Sequence, residues 1–166
     1  MEKAETSGAL GGVLRDVRLA FADLFSGSKL DATQEMTFEV LFGLLGAAAQ
    51  SDGLVTSEET GYTNQLMDQL ELTTVGRQVA SEAFERGRRK QIDVDAEIAR
   101  FLEQFPIGSP DVKRLHNSLV SLAAADKRLR PGERVFLEHV TESLGFKQEL
   151  LEIKLRQLLP GTTTKG

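Results

Sequence analysis

The chain has 166 residues, 40% of them hydrophobic and 27% charged, the balance of a soluble globular domain with a core of its own. A net charge of −5 argues against nucleic acid as a partner for the chain as a whole. The absence of cysteine excludes disulfides, thiol nucleophiles and cysteine-type zinc sites, and fits a reducing, cytoplasmic setting.

Taken in chain order, almost every segment has helical periodicity. The opening residues "MEKAETSGALGG" carry neither a long apolar run nor a cleavage signal. Leu10, Val13, Leu14, Val17, Phe21, Leu24 and Phe25 then form one apolar stripe, predicting an amphipathic helix within residues 1–30. Its polar face mixes Arg15, Asp16, Arg18 and Asp23, which favours packing on the protein's own bundle over an anionic membrane. After the break "SGSKLDAT" a second helix is predicted from Thr33 to Gln50. Its apolar run "VLFGLLGAAA" falls well short of the roughly 20 residues a membrane span needs, so it reads as a buried core helix.

Thr56 and Glu59 form a capping box that opens a third helix carrying Tyr62, Leu66, Met67 and Leu70. Thr73 or Thr74 opens a fourth, with Val75, Val79, Ala80, Ala83 and Phe84, and it ends in the basic stretch "ERGRRKQ". Asp93 caps a fifth, and Ser109-Pro110 is an N-cap followed by a first-turn proline for the sixth, which bears Val112, Leu115, Leu119 and Leu122. Pro131 begins a seventh, with Val135, Phe136, Val140 and Leu144. "FKQELLEIKLRQLL" is the eighth, and residues 160–166 read as a flexible tail. The expectation is an all-α bundle of about eight helices in one domain.

Two turns share a pattern. "LGAAAQSDGLVTSEE" places Asp52 seven residues before Glu59, and "VSLAAADKRLRPGE" places Asp126 seven residues before Glu133. The offset of 74 also lays Leu41 on Leu115, Leu45 on Leu119, Leu66 on Val140, Leu70 on Leu144, Val79 on Ile153 and Gly87 on Gly161. An internal repeat of residues 36–89 and 110–163, packed about an approximate two-fold axis, is the expected consequence.

The stretches "LLGAAAQSDGLVTSEE" and "LVSLAAADKRLRPGE" resemble the TerB-like superfamily, which includes tellurite-resistance TerB proteins and the N-terminal domain of DjlA-type co-chaperones. The resemblance spans residues 34–159 and implies an all-helical bundle, a bacterial stress-response setting and a divalent-metal site. By position that site would use Asp52, Glu59, Asp126 and Glu133. No His-Pro-Asp triplet occurs in the chain, so a J-domain role has no support in these residues.

The residues themselves leave two readings open. As an EF-hand loop the first turn fails, because Ala48 stands where a ligand oxygen belongs. Asp52-Gly53 is ordinary turn chemistry, and Glu59 at the third helical position serves a capping box. In the second turn Lys127, Arg128 and Arg130 oppose a cation, yet Glu133 persists without a Ser or Thr cap partner, which favours a role beyond capping, with pairing to Arg130 or Lys127 as the other reading. Calcium or magnesium bound by two converging pairs is one reading. Metal-free turns in a protein-interaction module, with a homodimer among its forms, is the other. His116 reads as partly exposed or a minor polar contact, and His139 lacks the partners of a catalytic or zinc residue. The basic stretch at residues 85–91 reads first as a helix end and second as a site for phosphate or an acidic partner. No enzymatic constellation is present in the sequence.

Overall fold

The computed structural model describes residues 32–51, 74–124 and 129–159. These form six helices: α1 (Ala32–Gln50), α2 (Thr74–Arg88), α3 (Val94–Gln104), α4 (Pro110–Ala123), α5 (Pro131–Ser143) and α6 (Gln148–Leu158). The described residues are thus all-helical, with no strand among them. The expected N-terminal helix, the helix opened by Thr56 and the tail lie outside them.

Helix α1 is the hub. Met36, Phe38, Val40, Leu41, Phe42, Leu44, Leu45 and Ala48 are all buried, and the stretch from Val40 to Gly46 is apolar around its whole circumference, as the middle of a core helix must be. It packs chiefly on α2 and also touches α3, α4 and α5. Leu115, Leu119, Leu122, Leu137, Val140, Leu144, Leu151 and Leu155 complete the core from α4, α5 and α6. The apolar stripes predict burial of Leu41, Leu45, Leu66, Leu70, Leu115, Leu119, Val140 and Leu144; Leu66 and Leu70 lie outside the described residues, and each of the other six is buried. Val75, Val135 and Ile153 differ: their stripes are apolar, yet these three side chains stand in solvent, Val135 at 63% of its full exposure.

Local chemistry sets the helix starts. The Asp93 carboxylate accepts the Ala96 amide at 3.1 Å and opens α3. Ser109 Oγ accepts the Val112 amide at 3.4 Å, with Pro110 as the first residue of α4. Helix α2 is stopped just past Arg88 by Lys90, a non-glycine residue at φ 58, and the Gln91 amide closes on the Arg86 carbonyl. That pattern satisfies carbonyls the helix end would otherwise leave bare.

The α1–α2 contact is made backbone to backbone. A Cβ added at Gly46 would overlap the Phe84 carbonyl oxygen and lie 2.9 Å from the Arg88 nitrogen. One added at Gly87 would overlap the Gly43 carbonyl oxygen and lie 2.8 Å from the Ala47 nitrogen. Two helices can approach this closely only where neither carries a side chain at the crossing.

This crossing bears on the expected repeat. Two helix boundaries follow the offset of 74, Gln50 falling on the α4 cap Ala124 and Thr74 on the first residue of α6, Gln148, while the start of α1 and the end of α2 do not. The packing does not follow. Gly46 falls on Val120, whose buried side chain denies α4 the approach that α1 makes to α2. Gly161, the counterpart of Gly87, lies outside the described residues. The pseudo-two-fold arrangement therefore finds no support in the described packing.

The crossing predicts a graded response to a single methyl group. Gly46→Ala and Gly87→Ala should each destabilise by about 1–3 kcal/mol through overpacking, despite the roughly 1 kcal/mol that alanine adds in helix propensity. Gly43→Ala is the control, because its added Cβ would meet only Ile92 Cδ1 at 3.4 Å and the Ala83 oxygen at 3.8 Å, ordinary contacts. Urea denaturation should show Gly43→Ala near or above wild type and the other two well below it. Equal midpoints for all three would contradict the close crossing.

Candidate functional site

Of the four acidic residues in the anticipated metal set, Asp52, Glu59 and Asp126 lie outside the described residues. Glu133 is described, in the first turn of α5, and its Oε1 accepts the backbone amide of Arg130 at 3.0 Å. That bond corrects one step of the sequence reading. Glu133 needs no Ser or Thr at the cap position to serve the helix start, because the backbone N–H of Arg130 is the donor it satisfies. Its carboxylate also complements the positive end of the α5 dipole. Glu133 therefore does not by itself point to a cation. Among the described residues no group of three or more His, Asp or Glu side chains is placed to hold a metal ion.

The basic stretch after α2 is also engaged. Arg88 pairs with Glu85 at 2.6 Å and Arg89 with the same carboxylate at 3.2 Å. The Arg88 hydrogen bond holds the Glu85 carboxyl below its ordinary range, against an opposing effect of burial. The stretch reads as a helix end with internal ion pairs.

The most developed polar arrangement is one the sequence reading underrated. His116, on α4, is fully buried, not partly exposed. Thr141 on α5 donates its hydroxyl to the Leu137 carbonyl at 2.6 Å. Its oxygen is then free to accept, and His116 Nε2 lies 2.9 Å from it. This assigns the ring proton to Nε2 and leaves Nδ1 as a bare acceptor. Lys154 Nζ, on α6, sits 2.7 Å from that Nδ1. Phe146 closes the cluster, its ring centroid 4.8 Å from that of His116 and 5.8 Å from Lys154 Nζ. Three helices thus meet at one neutral imidazole.

Burial, and after it the neighbouring Lys154 charge, pushes the His116 imidazolium down to about 3. Burial alone lowers the Lys154 ammonium to about 8. No local motif announced this cluster, since the partners of His116 lie 25 and 38 residues away in sequence. The available signal was weaker: a lone histidine between Leu115 and Leu119 on the apolar face of its helix. His139 is a different case. It is exposed and bonds Asp95 Oδ1 at 2.7 Å, an α5-to-α3 tie at the surface.

The His116 shift sets a pH dependence. Its folded value of about 3 lies below the ordinary 6.5, so the unfolded chain binds more protons between those limits. The contribution is complete above pH 6.5 and is lost as pH falls toward 3. His116→Gln removes this titration and leaves the carboxylates in place. The stability gap between wild type and variant should therefore be widest near pH 7 and shrink steadily to pH 4. A gap that stays constant over that range would contradict a neutral, buried His116.

Comparison with known proteins places this fold. The family model described as "Tellurite resistance protein TerB" matches residues 39–155. The chain is 31% identical over 153 residues to the co-chaperone protein DjlA of Haemophilus influenzae, covering 88% of this chain and 52% of that protein. The DjlA of Vibrio cholerae is 34% identical over 127 residues, 74% of this chain and 43% of that one. The DjlA of Mannheimia succiniciproducens is 31% identical over 144 residues, 81% and 49% respectively. The chain thus spans about half the length of the curated relatives it matches. No solved structure matches it significantly. Among the described residues no helix is long and apolar enough to cross a membrane. With most of its length matched by the family model, and with co-chaperones related to it across most of its own residues, the chain belongs to the TerB family.

Proposed function

We propose that the chain is a non-enzymatic, TerB-type helical module that works by binding a protein partner. The observation that carries this reading is the relationship to co-chaperones, which are named for acting with other proteins, over a segment that makes up about half of each. The described polar groups agree with it. Asp93, Ser109 and Glu133 serve helix starts, Glu85 and Arg88 pair with each other, and His116, Thr141 and Lys154 tie helices together. Such groups hold a scaffold in shape and leave its outer surface for recognition. A cytoplasmic, bacterial stress-response setting, and a second copy of the chain as one kind of partner, belong to this reading.

A divalent-cation role for Asp52, Glu59, Asp126 and Glu133 is the alternative. It rests on the equal seven-residue spacing of the two acidic pairs. The Glu133–Arg130 bond favours the metal-free reading, because at least one of the four carboxylates has a structural task without a metal.

Two measurements separate these readings. A photo-crosslinking side chain placed singly at the exposed positions Val75, Val135 and Ile153 in living bacteria should give a discrete protein adduct from at least one of them. Absence of adducts from all three would count against an interaction role for these faces. Calorimetric titration with calcium, magnesium and manganese should give no heat. Heat that disappears in Asp52→Asn would establish the cation role instead.

A further inference from the structure

The feature not absorbed by an interaction role is the chemistry of Lys154. Its side chain is half-buried on α6, with Nζ 2.7 Å from the imidazole Nδ1 of His116 and 5.8 Å from the Phe146 ring centroid. Among the described residues neither group facing it is a carboxylate, so no anion among them holds the ammonium in its charged form. An exposed lysine is surrounded by water that stabilises the cation, and its lone pair is protonated and unreactive. Here the surroundings are an aromatic ring and a neutral imidazole whose own proton is committed to Thr141.

We propose that Lys154 is an acylation site, an amine that takes an acyl group directly from a small activated acyl donor, either an acyl phosphate or an acyl thioester. Three features of the site favour the step. Partial burial favours the free amine over the ammonium, and the lowering of Lys154 to about 8 has the same cause. The bare Nδ1 of His116 accepts one N–H of that amine, which leaves the nitrogen lone pair directed away from the ring. His116 is in this sense a positioning residue, and its tautomer is set by Thr141. Third, the product suits the site. An amide carries no charge to desolvate and keeps one N–H for the same Nδ1 acceptor.

The step balances without a further reagent. The Lys154 amine attacks the acyl carbon and a C–N bond forms. The C–O bond of the acyl phosphate, or the C–S bond of the thioester, breaks, and its electron pair leaves with phosphate or thiolate. The amine proton passes to solvent or to the leaving group. This inference is independent of the interaction role and can fail without it.

The test uses the full wild-type chain, so it does not depend on a variant that folds. The protein is incubated in parallel with acetyl phosphate and with a small acetyl thioester, and acetylation at each lysine is followed by peptide mass spectrometry. Lys113 and Lys147, both exposed, are the internal references. At pH 7 Lys154 should be acetylated at least about tenfold faster than either reference in one arm or both, as expected for an amine freed of its proton by burial. The faster arm identifies the donor class. The Lys154 rate should also level off near pH 8. A Lys154 rate no greater than the references in both arms, or a rate still rising with hydroxide beyond about pH 9, would overturn the proposal.

Discussion

The backbone contact between α1 and α2 is the constraint on which the rest of the packing depends. The middle of α1, buried from Val40 to Gly46, needs covering on every side, and it has α2, α3, α4 and α5 around it. Without Cβ atoms at Gly46 and Gly87 the α1 and α2 backbones touch. The flanking Phe84, Ala80 and Ala83 are thereby drawn into the core beside Phe42 and Leu45. Glycine within a helix costs about 1 kcal/mol in propensity at each position, and the dense contact it permits offsets that cost.

Polar ties orient the outer helices around this hub. Arg100 on α3 reaches Glu39 on α1 at 3.1 Å, Arg134 on α5 pairs with Glu152 on α6, and His139 on α5 meets Asp95 on α3. These lie at the surface, where such pairs contribute at most about 1 kcal/mol each. The His116 cluster is different in kind. Its His116–Thr141 hydrogen bond is shielded from water, and removing either partner leaves a buried polar atom unmatched, which is costly. Together, an apolar hub and one buried polar node give a scaffold whose internal chemistry is largely occupied, in keeping with a module that acts through its surface.

What was legible in the sequence was what is local. Asp93, Ser109-Pro110 and Pro131 mark helix starts because a cap is made within three or four residues, and each of those starts is where it was expected. The leucines of α4 and the run through α1 reported burial because several apolar residues on one face leave little choice. Long-range features were not legible. The periodicity of Val75, Val135 and Ile153 says which residues share a stripe, not whether another helix covers them. His116 looked like a minor polar contact because the groups that bury and bond it come from α5 and α6. Gly87 sat inside a basic stretch that drew attention to its charges, while the informative residue was the glycine between them. A glycine kept inside a strong helical pattern is itself a hint of close packing, and Gly46 in the apolar run of α1 carried the same hint. The offset of 74 matches residues and two helix boundaries along the chain, but a match in spacing does not impose a match in packing when Gly46 is paired with Val120.

The central claim is that α1 is the least separable part of the structure, held from all sides and locked to α2. Native-state hydrogen exchange tests it most directly, because it reads the free energy of opening amide by amide. The amides of α1 from Val40 to Ala48 should exchange only through global unfolding, with opening free energies equal to that of the whole domain and the same denaturant dependence. If these amides instead open locally, with low free energies, while those of α4 or α5 remain protected to the global limit, the hub is elsewhere and the account is wrong.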